Sequence, residues 1–226
     1  MPAKEFGRPV PGFVPPPRPA GATLAGRFVR PERLNPGAHG AELFAANSTD
    51  DAIWDYLPYG PFGAVTDYLD WLNRVAGAED PVFYAPRDMR SGHAAGVASY
   101  LRISPEAGCI EVGHITLSPL LQRAPAATEA MFLMMQWAFG AGYRRYEWKC
   151  DALNAPSRRA AERLGFSFEG VFRQAAIVKG RNRDTAWYSV IDREWPALSA
   201  AFSRWLAQDN FDAGGLQFRP LAAFRA

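Results

Sequence analysis

The chain has 226 residues, 48% of them hydrophobic and 21% charged, with a formal net charge of +2, enough for one domain with extensions around a sizeable core. That even balance argues against a nucleic-acid-binding surface, and two cysteines (Cys109, Cys150) with three scattered histidines (His39, His93, His114) give neither a disulfide framework nor metal-ligand spacing. No apolar run approaches the ~18–20 residues of a membrane span, and no secretory h-region opens the chain, which points to the cytoplasm and to no membrane partner.

Residues 1–25 are expected to form an extended, proline-rich arm. Pro2, Pro9, Pro11, Pro15, Pro16, Pro17 and Pro19 fix φ and remove backbone donors, so this segment cannot build a core. It is either a solvated tail or a strap anchored by Phe13 and Val14 on its own domain or on a second subunit. Thr23–Leu34 reads as the first strand, and Ala38–Ala46 and Val65–Ala76 as short helices. Between the helices lies an aromatic stretch with Trp54, Tyr56, Tyr59 and Phe62. With Tyr84 and Trp148, the first three of these line an acceptor pocket or belong to the core. Val82–Tyr84, Gly96–Ile103 and Cys109–Leu117 read as consecutive strands, the last two joined by the turn Ser104–Gly108.

Thr128–Gly140 is apolar nearly all round, the pattern of a buried helix. Tyr143–Cys150 alternates as a strand, with Tyr146, Trp148 and Cys150 on one face and Arg145, Glu147 and Lys149 on the other. Asn154 is a good helix N-cap, Pro156 fits the first turn, and Gly165 stops the helix. Phe166–Phe172 and Thr185–Asp192 are the last strands, around a basic hairpin turn carrying Lys179, Arg181 and Arg183. Pro196–Ala207 is a final helix whose Phe202, Trp205 and Leu206 form an apolar face that could receive the arm or a second copy in a homodimer. The hairpins imply a mixed α/β (α+β) fold with a mostly antiparallel sheet flanked by helices.

Two segments carry chemistry. Gln122-Arg123-Ala124-Pro125-Ala126-Ala127 lies between a strand and the buried helix, where a helix N-terminus offers unpaired N–H groups to an anion. Asn154-Ala-Pro-Ser157-Arg-Arg, closed by Leu164-Gly165-Phe166, is the more specific. In that order, the run from Glu111 to Phe172 resembles the acyl-CoA-binding core of the GNAT N-acetyltransferase superfamily. It is most similar to the RimJ/RimL-like branch, over residues 26–195, with residues 196–226 as a C-terminal helix and tail. The resemblance implies splayed central strands that bind acetyl-CoA as co-substrate, and direct transfer of acetyl to a primary amine without a metal. The acceptor is a protein N-terminus, an amino acid, a polyamine or an aminated antibiotic.

The resemblance also implies site roles. The Gln122–Thr128 turn would cradle the coenzyme pyrophosphate through Gln122, Arg123, Ala124, Ala126, Ala127 and Thr128. Pro125 and Ala127 stand where the family pattern has glycines, and Pro125 lacks an N–H. Asn154 would bond the pantetheine arm, Ser157 would protonate the departing thiolate, and Arg158 or Arg159 would reach the 3′-phosphate. Backbone at Leu117 and Ser118 would polarise the thioester carbonyl. Glu111 is the candidate general base, with a water as its rival and a surface carboxylate as its plain reading. His114, three positions on, faces away from Glu111 by strand parity and is expected to be structural. Cys150 is expected to be a small strand residue beside the coenzyme. The missing Pro125 donor keeps one alternative in play: a non-catalytic CoA- or ligand-binding module of the same fold. A further alternative is an interaction element built on the arm.

Overall fold

A computed structural model describes residues 4–225; Pro2 of the arm lies outside them. Among these residues, seven strands form a single sheet in the order β1-β2-β3-β4-β5-β7-β6. The strands are β1 (Val29–Arg33), β2 (Val82–Asp88), β3 (Gly96–Ser104), β4 (Cys109–Leu117), β5 (Arg145–Asp151), β6 (Ser167–Val178) and β7 (Arg181–Ile191). The helices are α1 (Pro36–Asn47), α2 (Val65–Ala76), α3 (Pro125–Gly140), α4 (Ala155–Arg163) and α5 (Trp195–Trp205). Every strand pair is antiparallel except β4 with β5, which the α3 crossover makes parallel.

The sheet separates two cores. Tyr84, Tyr100, Ile110, Val112, Tyr146, Trp148, Cys150 and Tyr188 pack on the face covered by α3 and α5, with Met131, Met134 and Phe202 among their partners. Phe83, Ala85 and Val97 point to the other face, where Leu43, Tyr68, Trp71 and Leu72 of α1 and α2 cover them with Trp54. Alternation along each strand sends neighbouring residues to opposite cores. Tyr84 and Trp148 therefore lie in a different core from Trp54 and Tyr59, so these aromatics do not line one pocket.

The first strand is shorter than the Thr23–Leu34 read from sequence. The buried Glu129 carboxylate of α3 accepts hydrogen bonds from the N–H groups of Arg27 (2.9 Å), Phe28 (2.6 Å) and Val29 (3.0 Å), which bends the chain before the ladder begins. Beyond the expected boundaries, β6 and β7 run on to a two-residue turn, Lys179-Gly180, with both residues at positive φ as a tight hairpin requires.

The proline-rich segment packs on its own domain at the end of the sheet where β3 turns into β4. Tyr143 donates a hydrogen bond to the Pro17 carbonyl at 3.1 Å, and Arg18 donates to the Ile103 carbonyl at 3.2 Å. Phe13 lies against Gly108, a left-handed residue where a Cβ would approach the ring to 3.1 Å, whereas Val14 is 76% exposed and anchors nothing. The α5 face does not receive the arm. Phe202 stacks on Phe132 at 5.1 Å and Trp205 packs edge-on to Phe211, so the domain's own core fills it.

Candidate active site

The parallel pairing of β4 and β5 runs from Cys109↔Arg145 to Val112↔Trp148 and stops there. Beyond it the two strands open, β4 over His114–Leu117 and β5 over Lys149–Asp151. The opening follows a bulge: Gly113 pairs with Ser99 and Thr116 with Val97, so three steps of β4 oppose two of β3, with His114 at φ +50°.

That bulge corrects the parity expected for His114. Its ring stacks on Tyr59 (17° between planes, 5.7 Å) and lies 5.1 Å from Phe83, on the α1/α2 face, the same face as Glu111. The Tyr59 hydroxyl and His114 Nδ1 share a 3.0 Å hydrogen bond. Burial, reinforced by the charges of Arg102 and Arg183, pushes the imidazole down to about 4, so it is neutral near pH 7.

Glu111 is 3% exposed and is no surface carboxylate. Arg102 Nη1 donates to both of its oxygens at 2.8 Å, and Lys149 Nζ lies 2.9 Å from Oε2. Lys149 also reaches Glu147 at 2.8 Å, and Arg145 joins Glu147 at 2.6 Å, so the polar face of β5 is a nearly dry ion network. Burial holds the Glu111 carboxyl above its ordinary value, opposed by Lys149 and Arg102. Arg102 escapes a reading by sequence because it sits in a second bulge, at Leu101–Ser104, at φ +45°.

On the β4 wall, Ser118 N–H is bonded to the Ala95 carbonyl at 3.1 Å, which makes Gly96 and Leu117 the non-bonded pair of the ladder. Leu117 N–H therefore points away from β3, into the opening. The expectation for Ser118 is corrected: its N–H is taken, although its buried hydroxyl has no protein partner. The Leu117 carbonyl accepts from Gln122 Nε2 at 2.9 Å, so that side chain, although exposed, ties down the turn.

The turn into α3 keeps fewer donors than its sequence suggested. Gln122 N–H bonds to Ser118, Ala124 N–H to Leu121 and Ala127 N–H to Ala124. Thr128's hydroxyl accepts from Arg163 at 2.8 Å. Among the described residues, the Arg123 and Ala126 N–H groups lack a protein acceptor, and Arg123 stands exposed at φ +59°.

On the β5 wall, Asn154 Oδ1 accepts from Ser157 N–H at 3.1 Å, capping α4, and its amide nitrogen has no acceptor among the described residues. Ser157 Oγ accepts from the Trp148 indole N–H at 3.0 Å. A hydroxyl that accepts one bond keeps its own proton for donation. Cys150, 4% exposed, lies beside Ser157, and burial pushes its thiol up, away from nucleophilic chemistry. Arg158 does not reach out as expected: Nε bonds to the Tyr188 hydroxyl at 3.1 Å and Nη1 to the Ala152 carbonyl at 3.3 Å, leaving Arg159 as the exposed guanidinium of the pair.

Comparisons with known proteins give the family and the fold. The family model described as "Acetyltransferase (GNAT) domain" matches residues 34–167. The chain belongs to the GNAT acetyltransferase family. It is similar to the crystal structure of a GCN5-related N-acetyltransferase from Brucella melitensis, with 49% identity and a TM-score of 0.94 over 96% of this chain and 99% of that one. A protein from Chromobacterium violaceum ATCC 12472, described as a probable acetyltransferase (GNAT family), is 40% identical with a TM-score of 0.81, covering 87% and 100%. The microcin C7 self-immunity acetyltransferase MccE, solved with acetyl-CoA and AMP, shares the fold alone at 20% identity and a TM-score of 0.65, covering 74% and 93%. No curated protein matches. Among the described residues there is no cluster of three or more His, Cys, Asp or Glu side chains that could hold a metal, and no helix long and apolar enough to cross a membrane.

Proposed function

We propose that this chain is an acetyl-CoA-dependent N-acetyltransferase of the RimJ/RimL-like branch that acetylates a primary amine by direct attack. The observation that carries the reading is the β4–β5 opening, with a free Leu117 N–H on one wall and a Ser157 hydroxyl with a proton to give on the other. The thioester carbonyl oxygen accepts from Leu117 N–H, where the charge of the tetrahedral intermediate develops. The amine nitrogen attacks the carbonyl carbon, the C–S bond breaks, and the thiolate takes a proton through the Ser157 hydroxyl, which is reprotonated from solvent. The nitrogen's surplus proton passes through a water to Glu111, whose raised carboxyl is suited to accept it. Asn154's amide holds the pantetheine, and Arg123 N–H, Ala126 N–H and the α3 dipole hold the pyrophosphate without help from Pro125. Arg159 takes the 3′-phosphate.

The test is release of free thiol from acetyl-CoA in the presence of an amine panel, with acetyl-CoA binding measured by calorimetry. Amine-dependent release supports the reading. Saturable binding with no release across the panel would instead favour a coenzyme-binding module.

A further inference from the structure

Past the opening, the α1/α2 side of the sheet is roofed. Lys179 Nζ at the β6–β7 turn donates to the Trp54 carbonyl at 2.9 Å, and the Tyr56 hydroxyl donates to the Leu153 carbonyl at 3.2 Å. These two bonds join the segment between α1 and α2 to the hairpin and to the loop after β5. Gly60, at φ +66°, lets that segment close on Trp54, since a Cβ there would come within 2.7 Å of the indole.

Beneath this roof three buried polar atoms have no hydrogen-bond partner among the described residues: Thr116 Oγ1 on β4, and Arg183 Nε and Trp187 Nε1 on β7. Arg183 and Trp187 are four residues apart on one strand, so they share a face. Trp187 lies under Lys149 Nζ, 3.6 Å from its ring centroid, which places that face on the Glu111 side. The Arg183 charge acts on both His114 of β4 and Cys150 of β5, the residues on either side of the opening.

Two of the three orphans can only donate, and one belongs to a cation. Among the described residues no ion pair within 4.0 Å joins Arg183 to a protein carboxylate. Glu111 is held by Arg102 and Lys149, Glu147 by Lys149 and Arg145, and Asp184 by the Gln174 N–H and the Asn182 side chain. An unpaired buried donor is costly, and here one of them belongs to a part-buried charged side chain, so this face suits an anion that arrives with the substrate. Arg is the side chain suited to a carboxylate, through its planar fork.

Resting on the transferase reading above, we infer that the acceptor is a small amine bearing a carboxylate, an amino acid, whose carboxylate is bound by Arg183 with Trp187 donating beside it. The Arg183 charge disfavours a polyamine or an aminoglycoside, which would bring only positive charge.

Two readouts test this, using the twenty amino acids and their C-terminal amides, with spermidine as a cationic control. In the thiol-release assay, acids should be turned over in preference to their amides. Arg183→Gln should raise KM for the preferred acid about 30-fold or more, the loss expected when a buried charge loses its partner, with kcat changing far less. Arg183→Lys should recover part of that loss. In calorimetry, the same probes are titrated into the CoA complex, which needs no turnover. Tighter binding of acid than amide, abolished by Arg183→Gln, supports the inference. Equal binding of acid and amide, no binding of either, tighter binding of spermidine, or a preference unmoved by the substitution would overturn it. The acid-over-amide comparison needs no variant, so misfolding of Arg183→Gln does not protect the idea. Absence of turnover alongside an intact acid preference would strike the transferase reading alone.

Discussion

The two sides of the β4–β5 opening are built from different chemistry. On the α3/α4 side the sheet offers Ile110, Val112, Trp148 and Cys150, with a few directed polar groups: Leu117 N–H, the Ser157 hydroxyl and the Asn154 amide. On the α1/α2 side it offers an ion network around the buried Glu111, a neutral His114–Tyr59 pair and, among the described residues, an Arg183 Nε without a partner. One side suits a long, mostly apolar arm held by few hydrogen bonds. The other suits a small charged molecule that must lose a proton. Strand alternation produces most of this division, because each strand gives every second residue to each side, and the β4 bulge adds His114 to the α1/α2 side.

The largest effects should come from breaking one group on each side. Ser157→Ala should lower kcat by about 10²–10⁴-fold, the range for general acid catalysis, while calorimetric affinity for acetyl-CoA stays near that of the unaltered protein. Loss of affinity without loss of kcat would make Ser157 a binding residue only. On the acceptor side, the unaltered enzyme should lose rate as pH falls through the raised Glu111 value, because the base is then protonated. Glu111→Gln should remove that limb and depress the plateau. A variant keeping the whole profile would leave the proton to another group.

Next in size is the ion network itself. Lys149→Met takes one cation from both Glu111 and Glu147 and should cost about 3–5 kcal/mol in denaturant unfolding, the range for breaking a buried pair. An unchanged midpoint would show that Arg102 and Arg145 suffice.

A control away from both sides is Glu32, which meets Arg30 at 2.6 Å, His39 at 2.8 Å and Arg87 at 3.1 Å. Despite desolvation, which pulls the other way, hydrogen bonds from Arg87, His39 and Arg30 lower its carboxyl from 4.5 to about 2. A depressed folded-state value gives stability that is full above about pH 4.5 and is lost as pH falls towards about 2. Glu32→Gln should flatten thermal stability against pH in that window and leave coenzyme binding unaltered. The smallest effect is expected for the arm. Deleting residues 1–20 removes the Pro17 and Arg18 bonds, each worth about 1 kcal/mol, and should lower Tm by about 4–8 °C. Unchanged melting would make the arm a bystander.

The elements with strong local signals were legible in the sequence. Val65–Ala76 and Cys109–Leu117 were read with the observed ends, and the alternation of Tyr143–Cys150 separated its two faces correctly. The GNAT family was legible from the Asn154–Ser157 helix start and the strand–turn–helix before it. What escaped depends on long-range geometry. The bulge at His114 reverses a parity that a bare sequence treats as unbroken. The roles of Glu129 and Arg102 need partners about 100 and nine residues away, respectively. Whether a turn's N–H groups are free at Gln122–Ala127 depends on which carbonyls fold back onto them, and Arg158 is diverted by a tyrosine on β7.

The central claim is that the opening beyond Val112 and Trp148 holds the thioester between Leu117 N–H and Ser157. A crystal structure of the acetyl-CoA complex tests it most directly. The account predicts the acetyl carbonyl oxygen within about 2.7–3.1 Å of Leu117 N, with the sulfur beside Ser157 Oγ. A coenzyme bound with its acetyl group outside that opening, or with the carbonyl held by another donor, would contradict it.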